Sequence, residues 1–226
     1  MRAYLRAVWA LAAKDLLLER RSLASLASAI SFAVLLAVLF HFGFDIGPSE
    51  GARFFPGALW VALLFAGTLA VGRAARMDEL DGTMAGLALA PVDRSALFFG
   101  RLFFLLAFML AAEAVVVPVF LAVFSPGPVA RPGLLVAGLF LGTWGFAALG
   151  TLLGGAGHGE KSTGLLLPVI LFPLLAPVIL AGVAVTGAAV SGSAGEQTWM
   201  WLRLLVVFDV LFTVIPALIY EYLVEV

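Results

Sequence analysis

No cysteine occurs anywhere in the chain, which removes disulfides and thiolate metal sites from consideration. Charge is scarce too. Asp, Glu, Lys and Arg make up 12% of the 226 residues, about half the ~25% of an ordinary soluble domain. The formal net charge is -1, so the chain has no basic field of the kind that draws nucleic acid. Histidine is limited to His41 and His158, too far apart in sequence for a paired metal motif. Neither a nucleophile elbow nor a His-Glu-x-x-His sequence occurs. The expectation is a non-catalytic chain.

What is abundant is apolar: 63% of the residues are hydrophobic. A chain of that composition cannot cover itself with water-compatible surface, and a spanning helix needs only ~20 consecutive apolar residues. Six runs of that kind fall at Leu23–Phe44, Phe55–Gly72, Ala96–Phe124, Gly133–Leu153, Gly164–Val190 and Trp199–Tyr220. The expected fold class is an all-α integral membrane protein of about six transmembrane helices, forming a single permease domain over residues 1–226. A charged segment precedes the first run, and that run is long enough to span, so the amino-terminal region does not read as a secretory leader.

An even number of spans puts both termini on one side. Placing them in the cytoplasm puts Arg2, Arg6, Lys14, Arg20, Arg21, Arg73, Arg76, Arg94, Arg101 and Lys161 inside, and leaves only Arg53, Arg131 and Arg203 of the 13 cations outside. That asymmetry is what the positive-inside rule requires. Residues 1–22 carry Leu5, Val8, Trp9, Ala12 and Leu16 at helical spacing, with Arg2 and Arg6 off the stripe. They read as an amphipathic interfacial helix on the inner leaflet.

Within the spans, Gly138, Gly142 and Gly145, then Gly150 and Gly154, predict close helix packing along the fourth. Pro168, Pro173 and Pro177 predict a kinked or interrupted fifth. Glu113 and Asp209 fall near the centres of spans three and six, where a charge costs at least ~2.5–3.5 kcal/mol on insertion scales. With no cation at their depth, both are expected to be protonated, hydrogen-bonded to a neighbouring helix, or beside a wet path. The segment from Gly154 to Thr163 resembles a phosphate loop but fails as one. Glu160 stands where glycine should precede Lys161, and no strand leads into it. Any ATP is therefore expected on a partner chain.

The most informative segment is the inner loop at residues 73–95. Met77, Asp78, Glu79, Leu80, Asp81, Gly82 and Thr83 are followed by leucines and then by Pro91 and Arg94, just before a span. At this loop the sequence resembles the permeases of type 2 ABC exporters. The stretch from Pro56 to Gly67, the stretch from Leu87 through Gly100-Arg101-Leu102, the proline-rich fifth span, the segment from Trp201 to Phe212 and the ending Tyr220-Glu221-Tyr222-Leu223 narrow the resemblance to the permeases of bacterial cytochrome c maturation, the CcmB family. The family often has Lys where Arg101 stands and a more acidic loop where Met84-Ala85-Gly86 stands.

The resemblance implies the type 2 exporter permease fold and a seat in the bacterial inner membrane. It also implies coupling, through residues 77–83, to a separate cytoplasmic CcmA-like ATPase. Two permease copies would pair with that ATPase. A CcmC-like haem-handling membrane protein, a small single-span CcmD-like helper and a periplasmic CcmE-like haem chaperone would gather around them. ATP would bind on the partner, no cofactor would be held stably by this chain, and haem would be the transported or handled ligand, with His41 as the candidate contact. The competing expectation is a type 2 exporter for another substrate, such as a lipid-linked glycan or a drug.

Overall fold

The computed structural model describes residues 2–22, 24–47, 49–80, 94–156 and 163–223. They form seven helices: α1 (Arg2–Ser22), α2 (Ala24–Gly43), α3 (Gly51–Leu80), α4 (Arg94–Phe124), α5 (Pro132–Ala156), α6 (Thr163–Ser191) and α7 (Glu196–Leu223). All but α1 are long and apolar enough to cross a membrane. The reason is elementary: in hydrocarbon every backbone N–H and C=O needs an internal partner, and a helix supplies it within one segment.

At one end of the bundle, short turns join α2 to α3, α4 to α5 and α6 to α7. Each begins where a residue in left-handed conformation ends a helix: Asp45 (φ 49), Ser125 (φ 43) and Gly192 (φ 76). The amides there bond back onto the helix they leave, as in Ile46 N to His41 O at 3.0 Å and Gly192 N to Ala188 O at 3.0 Å, which is how such caps satisfy terminal carbonyls. Arg131 N, in the α4–α5 turn, also donates to Ala189 O of α6 at 2.9 Å, so this turn is stitched to the end of α6. The opposite end holds α1 and the ends of α3 and α7.

The centre of the bundle is organised by one tryptophan. Trp60 of α3 is buried, and its indole lies against Gly142 of α5 and Gly182 of α6, close enough that a Cβ on either glycine would overlap the ring. Its Nε1 donates to Thr186 Oγ1 of α6 at 2.9 Å. Three other glycines of α5 admit side chains of three different helices. A Cβ at Gly138 would sit 2.6 Å from Val185 of α6, one at Gly150 2.6 Å from Val71 of α3, and one at Gly145 2.7 Å from Asp209 of α7. The expected small-residue packing is present, but it serves three partner helices rather than one. Helix α5 is thus the hub on which α3, α6 and α7 converge.

Three expectations need correction. Residues 73–80 are not loop: α3 runs on to Leu80, because Ala74, Ala75, Arg76, Met77, Glu79 and Leu80 are strong helix formers and no glycine intervenes before Gly82. Of the kinked or interrupted helix expected at Pro168, Pro173 and Pro177, the interruption is absent: α6 is one continuous helix. Its buried stripe of Leu167, Leu171, Leu175 and Val178 bypasses the prolines, so each costs a backbone bond without costing the contact face. The stripe proposed for α1 also divides. Val8 and Ala12 are buried, whereas Leu5 and Trp9 are 53% and 70% exposed. The cause is that α1 packs on α4, with Leu11 against Gly100 and Tyr4 Oη 2.9 Å from Ser95 Oγ. One apolar face therefore meets protein and the other meets the interface.

Glu19 completes this end. Its buried carboxylate accepts the Leu26 amide of α2 at 3.2 Å and lies 3.6 Å from Arg73 Nε of α3. A free amide at a helix N-terminus both needs an acceptor and favours negative charge, so one acid joins α1, α2 and α3.

Two outcomes follow from this packing. Gly142→Val, which forces Trp60 out of its slot, is expected to cost about 1–3 kcal/mol, whereas Thr186→Val, which removes only the indole's acceptor, should cost about 0.6 kcal/mol. Denaturation midpoints in detergent measure both, and an equal loss would show that the hydrogen bond matters as much as the close approach. Glu19→Ala is expected to lower stability by ~1 kcal/mol, the value of a capping acceptor, and Glu19→Gln should restore most of it. Failure of Gln to restore stability would assign the effect to the Arg73 ion pair instead.

Candidate functional site

The residues singled out by sequence do not assemble into one constellation; the fold distributes them along the membrane normal. At the α1 end, Met77, Asp78, Glu79 and Leu80 belong to the final turns of α3, on the same helix as Arg73, which Glu19 anchors. Asp81, Gly82 and Thr83 lie outside the described residues. The acidic segment therefore starts as a stiff continuation of a transmembrane helix. Displacement of these turns would be carried into α3, and Glu19 ties Arg73 to α1 and to the start of α2. Glu19 had no motif to announce it, standing among Leu16, Leu17, Arg20 and Arg21; its only signal was an acid close to the beginning of an apolar run.

In mid-membrane the two acids, alike in sequence, have opposite surroundings. Glu113 of α4 is 5% exposed and accepts a hydrogen bond from the Thr143 hydroxyl of α5. It is an interhelical tie within the protein. Asp209 of α7 is 7% exposed, yet neither carboxylate oxygen has a hydrogen-bond partner among the described residues. Gly145 of α5 leaves room for it. It lines a cleft of about 360 Å³ between α5 and α7, otherwise formed by apolar side chains, Trp144 and Thr213. Trp144 Nε1 donates to Thr213 Oγ1 at 3.0 Å across the same cleft.

At the turn end, His41 stands two residues before the end of α2. Its ring meets Phe42 and Phe124 edge-on at 5.2 and 6.0 Å, and its Nδ1 is buried without a hydrogen-bond partner among the described residues. Among the described residues no other soft ligand is gathered near it. Met109 is buried in the core against Gly67, Met200 is exposed on α7, and His158 and Met84 lie outside the described residues. Among the described residues no three His, Asp or Glu side chains cluster as a metal site would require. A polar hollow of about 350 Å³ at the α6–α7 turn, lined in part by Ser193, Glu196, Gln197 and Thr198, was not legible in the sequence, because these residues are joined only by the turn.

Comparison with known proteins agrees with this architecture. The family described as "CcmB protein" matches residues 6–222, from α1 to the last turn of α7. The chain is 34% identical over 168 residues to "Heme exporter protein B" of Paracoccus denitrificans (strain Pd 1222), covering 72% of this chain and 74% of that protein. A match that runs unbroken through all six spans, the α1–α4 contact and the acidic end of α3 leaves one assignment: the chain belongs to the CcmB protein family.

Proposed function

We propose that this chain is the membrane-spanning subunit of an ABC transporter complex for cytochrome c biogenesis, coupling ATP hydrolysis by a separate CcmA-like ATPase to haem export or to release of a haem-loaded periplasmic chaperone. The observation that carries this reading is the family match over nearly the whole chain, joined to a multi-pass bundle in which the acidic segment prolongs a spanning helix. The chain itself is non-catalytic in this reading and holds no cofactor stably. ATP sits on the partner and haem is the handled ligand. The α1 end faces the cytoplasm of a bacterial inner membrane, because ten of the 13 cations lie on that side.

In this reading Met77, Asp78, Glu79, Leu80, Asp81, Gly82 and Thr83 are the contact with the ATPase. Acids on one side and a basic groove on the other give register and partner choice. A second permease copy completes the transporter, and CcmC-, CcmD- and CcmE-like proteins complete the haem-handling assembly. Release of the chaperone is favoured over bulk haem passage. Haem propionates are anionic, and no cation stands at the depth of the buried acids Glu113 and Asp209 to receive them. His41 is the one histidine among the described residues and stands alone at the turn end, where an axial ligand on a path would need successors.

Reversing the charges of Asp78, Glu79 and Asp81 together is expected to abolish copurification of the ATPase while the permease still extracts as a folded species; retained copurification with unchanged ATP turnover would sink the docking assignment. The permease purified without its haem-handling partners is expected to show little or no haem absorption, and His41→Ala should leave ATP hydrolysis by the assembled complex intact. A Soret band that copurifies with the isolated chain and shifts on replacement of His41 would instead establish direct haem contact.

A further inference from the structure

Helix α7 begins without a side-chain cap. Gly195 O accepts the Thr198 and Trp199 amides at 3.1 and 3.4 Å, which makes Gly195 the residue that opens the helix. Having no side chain, it offers nothing to the amides of Glu196 and Gln197, and no carbonyl within the helix can reach them. Neither packing nor backbone conformation demands glycine at this position. A Cβ there would meet nothing within 4 Å, and the φ of Gly195 lies outside the left-handed range that Gly192 occupies. The result is open space beside unanswered donors.

That space is the polar hollow of about 350 Å³ at the α6–α7 turn, within the roughly 300–1,000 Å³ of small-ligand sites. Thr198 lines it and is 6% exposed, yet its hydroxyl has no hydrogen-bond partner among the described residues. Unlike the Asp209 oxygens, that hydroxyl is not sealed off. Glu196 and Gln197 stand exposed at the rim, and among the described residues their side chains have no partner either. Ser191 donates to Gly187 O at 2.9 Å, so in its 2.6 Å contact with Ser193 it is Ser193 that donates. The Ser193 oxygen is left to accept. Donors and acceptors are thus collected in one hollow: two amides, Thr198 and Gln197 against the Glu196 carboxylate and Ser193 Oγ. A simple anion would meet Glu196, and a simple cation would leave the amides unanswered.

We propose that this hollow binds the headgroup of a phospholipid that carries both a phosphate and a primary ammonium, a phosphatidylethanolamine. The phosphate oxygens accept from the Glu196 and Gln197 amides and from Thr198, at a helix N-terminus that favours negative charge. The ammonium, with three N–H donors, answers Glu196 and Ser193 Oγ. A quaternary ammonium has no N–H for those acceptors, and a glycerol headgroup brings no positive charge to Glu196. Depth selects a lipid over a dissolved zwitterion of the same chemistry. The hollow lies where a span begins, at the level of the headgroups, and Trp199 and Met200 follow directly on α7, 56% and 54% exposed. Exposed tryptophan at a span end sits among headgroups, so acyl chains have an apolar surface to lie on beside the hollow. The adjoining α4–α5 turn, fixed by the Arg131 amide on Ala189 O, brings an exposed cation to the same end of the bundle.

The test uses the full chain, delipidated in mild detergent and then offered phosphatidylethanolamine, phosphatidylcholine or phosphatidylglycerol, with retained lipid read by native mass spectrometry. Phosphatidylethanolamine is expected to be retained roughly ten-fold better than the other two, and soluble glycerophosphoethanolamine should displace it only at far higher concentration. Gly195→Ser puts a capping hydroxyl into open space; it should cut retention of phosphatidylethanolamine without lowering the denaturation midpoint. Thr198→Val should cut retention as well. Glu196→Gln, at an exposed position that folding does not depend on, should erase the preference for ethanolamine over choline. Glu50→Gln, which removes an exposed acid from the α2–α3 turn, should change nothing. Equal retention of the three lipids, retention unaltered by both Gly195→Ser and Glu196→Gln, or displacement by the soluble headgroup as readily as by lipid would overturn the proposal.

Discussion

The bundle depends on the close approach of three backbones around the Trp60 indole. Van der Waals contact, not water exclusion, holds helices together in a bilayer, because lipid tails are as apolar as leucine. A large flat ring can bring three helices to one point only if the surfaces it touches have no side chains, and Gly142 and Gly182 supply those surfaces. The bond to Thr186 then fixes which edge of the indole faces α6. Helix α5 extends the same device along its length, with glycines meeting α6, α3 and α7 in turn. The remaining spans are arranged around that column.

Once packing is decided by small residues, polar groups take the roles left to them. Thr143 and Glu113 join α4 to α5, Trp144 and Thr213 join α5 to α7, and Glu19 joins α1, α2 and α3 where the chain enters the membrane. Each bond answers a group that would be expensive to leave alone in hydrocarbon or at its edge. Asp209 stands apart from this pattern, and its neighbours in the cleft are apolar or already engaged.

The arrangement also bears on how force could cross the chain. Helix α3 holds Trp60 at the core, Arg73 at the contact with Glu19 and the acidic residues Asp78 and Glu79 in its last turns, so one continuous helix spans the distance from the proposed ATPase contact to the packing centre. Helix α1 is clamped to α4 through Gly100 and, through Glu19, to the start of α2 and to Arg73 of α3. It is a structural member of the bundle as well as an amphipathic helix with an exposed apolar face. A displacement delivered at the acidic segment would therefore reach the spans through packed helices, without requiring a path for a ligand through the middle.

The number, length and helical nature of the spans were legible in sequence alone, because a bilayer admits only segments of ~20 apolar residues whose backbone bonds close internally. The glycine pairs of α5 likewise announced close packing, since small residues have no other strong reason to recur at that spacing in a span. Which helix each glycine meets was a matter for the tertiary structure, because the choice depends on three-dimensional neighbours such as Trp60, Val71 and Val185 that carry no mark in the sequence. The same holds for the acids. Sequence placed Glu113 and Asp209 at equal cost in mid-membrane, but only the packing of α4 on α5 and the gap between α5 and α7 decided that one is hydrogen-bonded while the other has no partner among the described residues. Local helix propensity carried α3 past the expected membrane boundary to Leu80, where hydropathy alone, which reads only the loss of apolar character, had placed a loop.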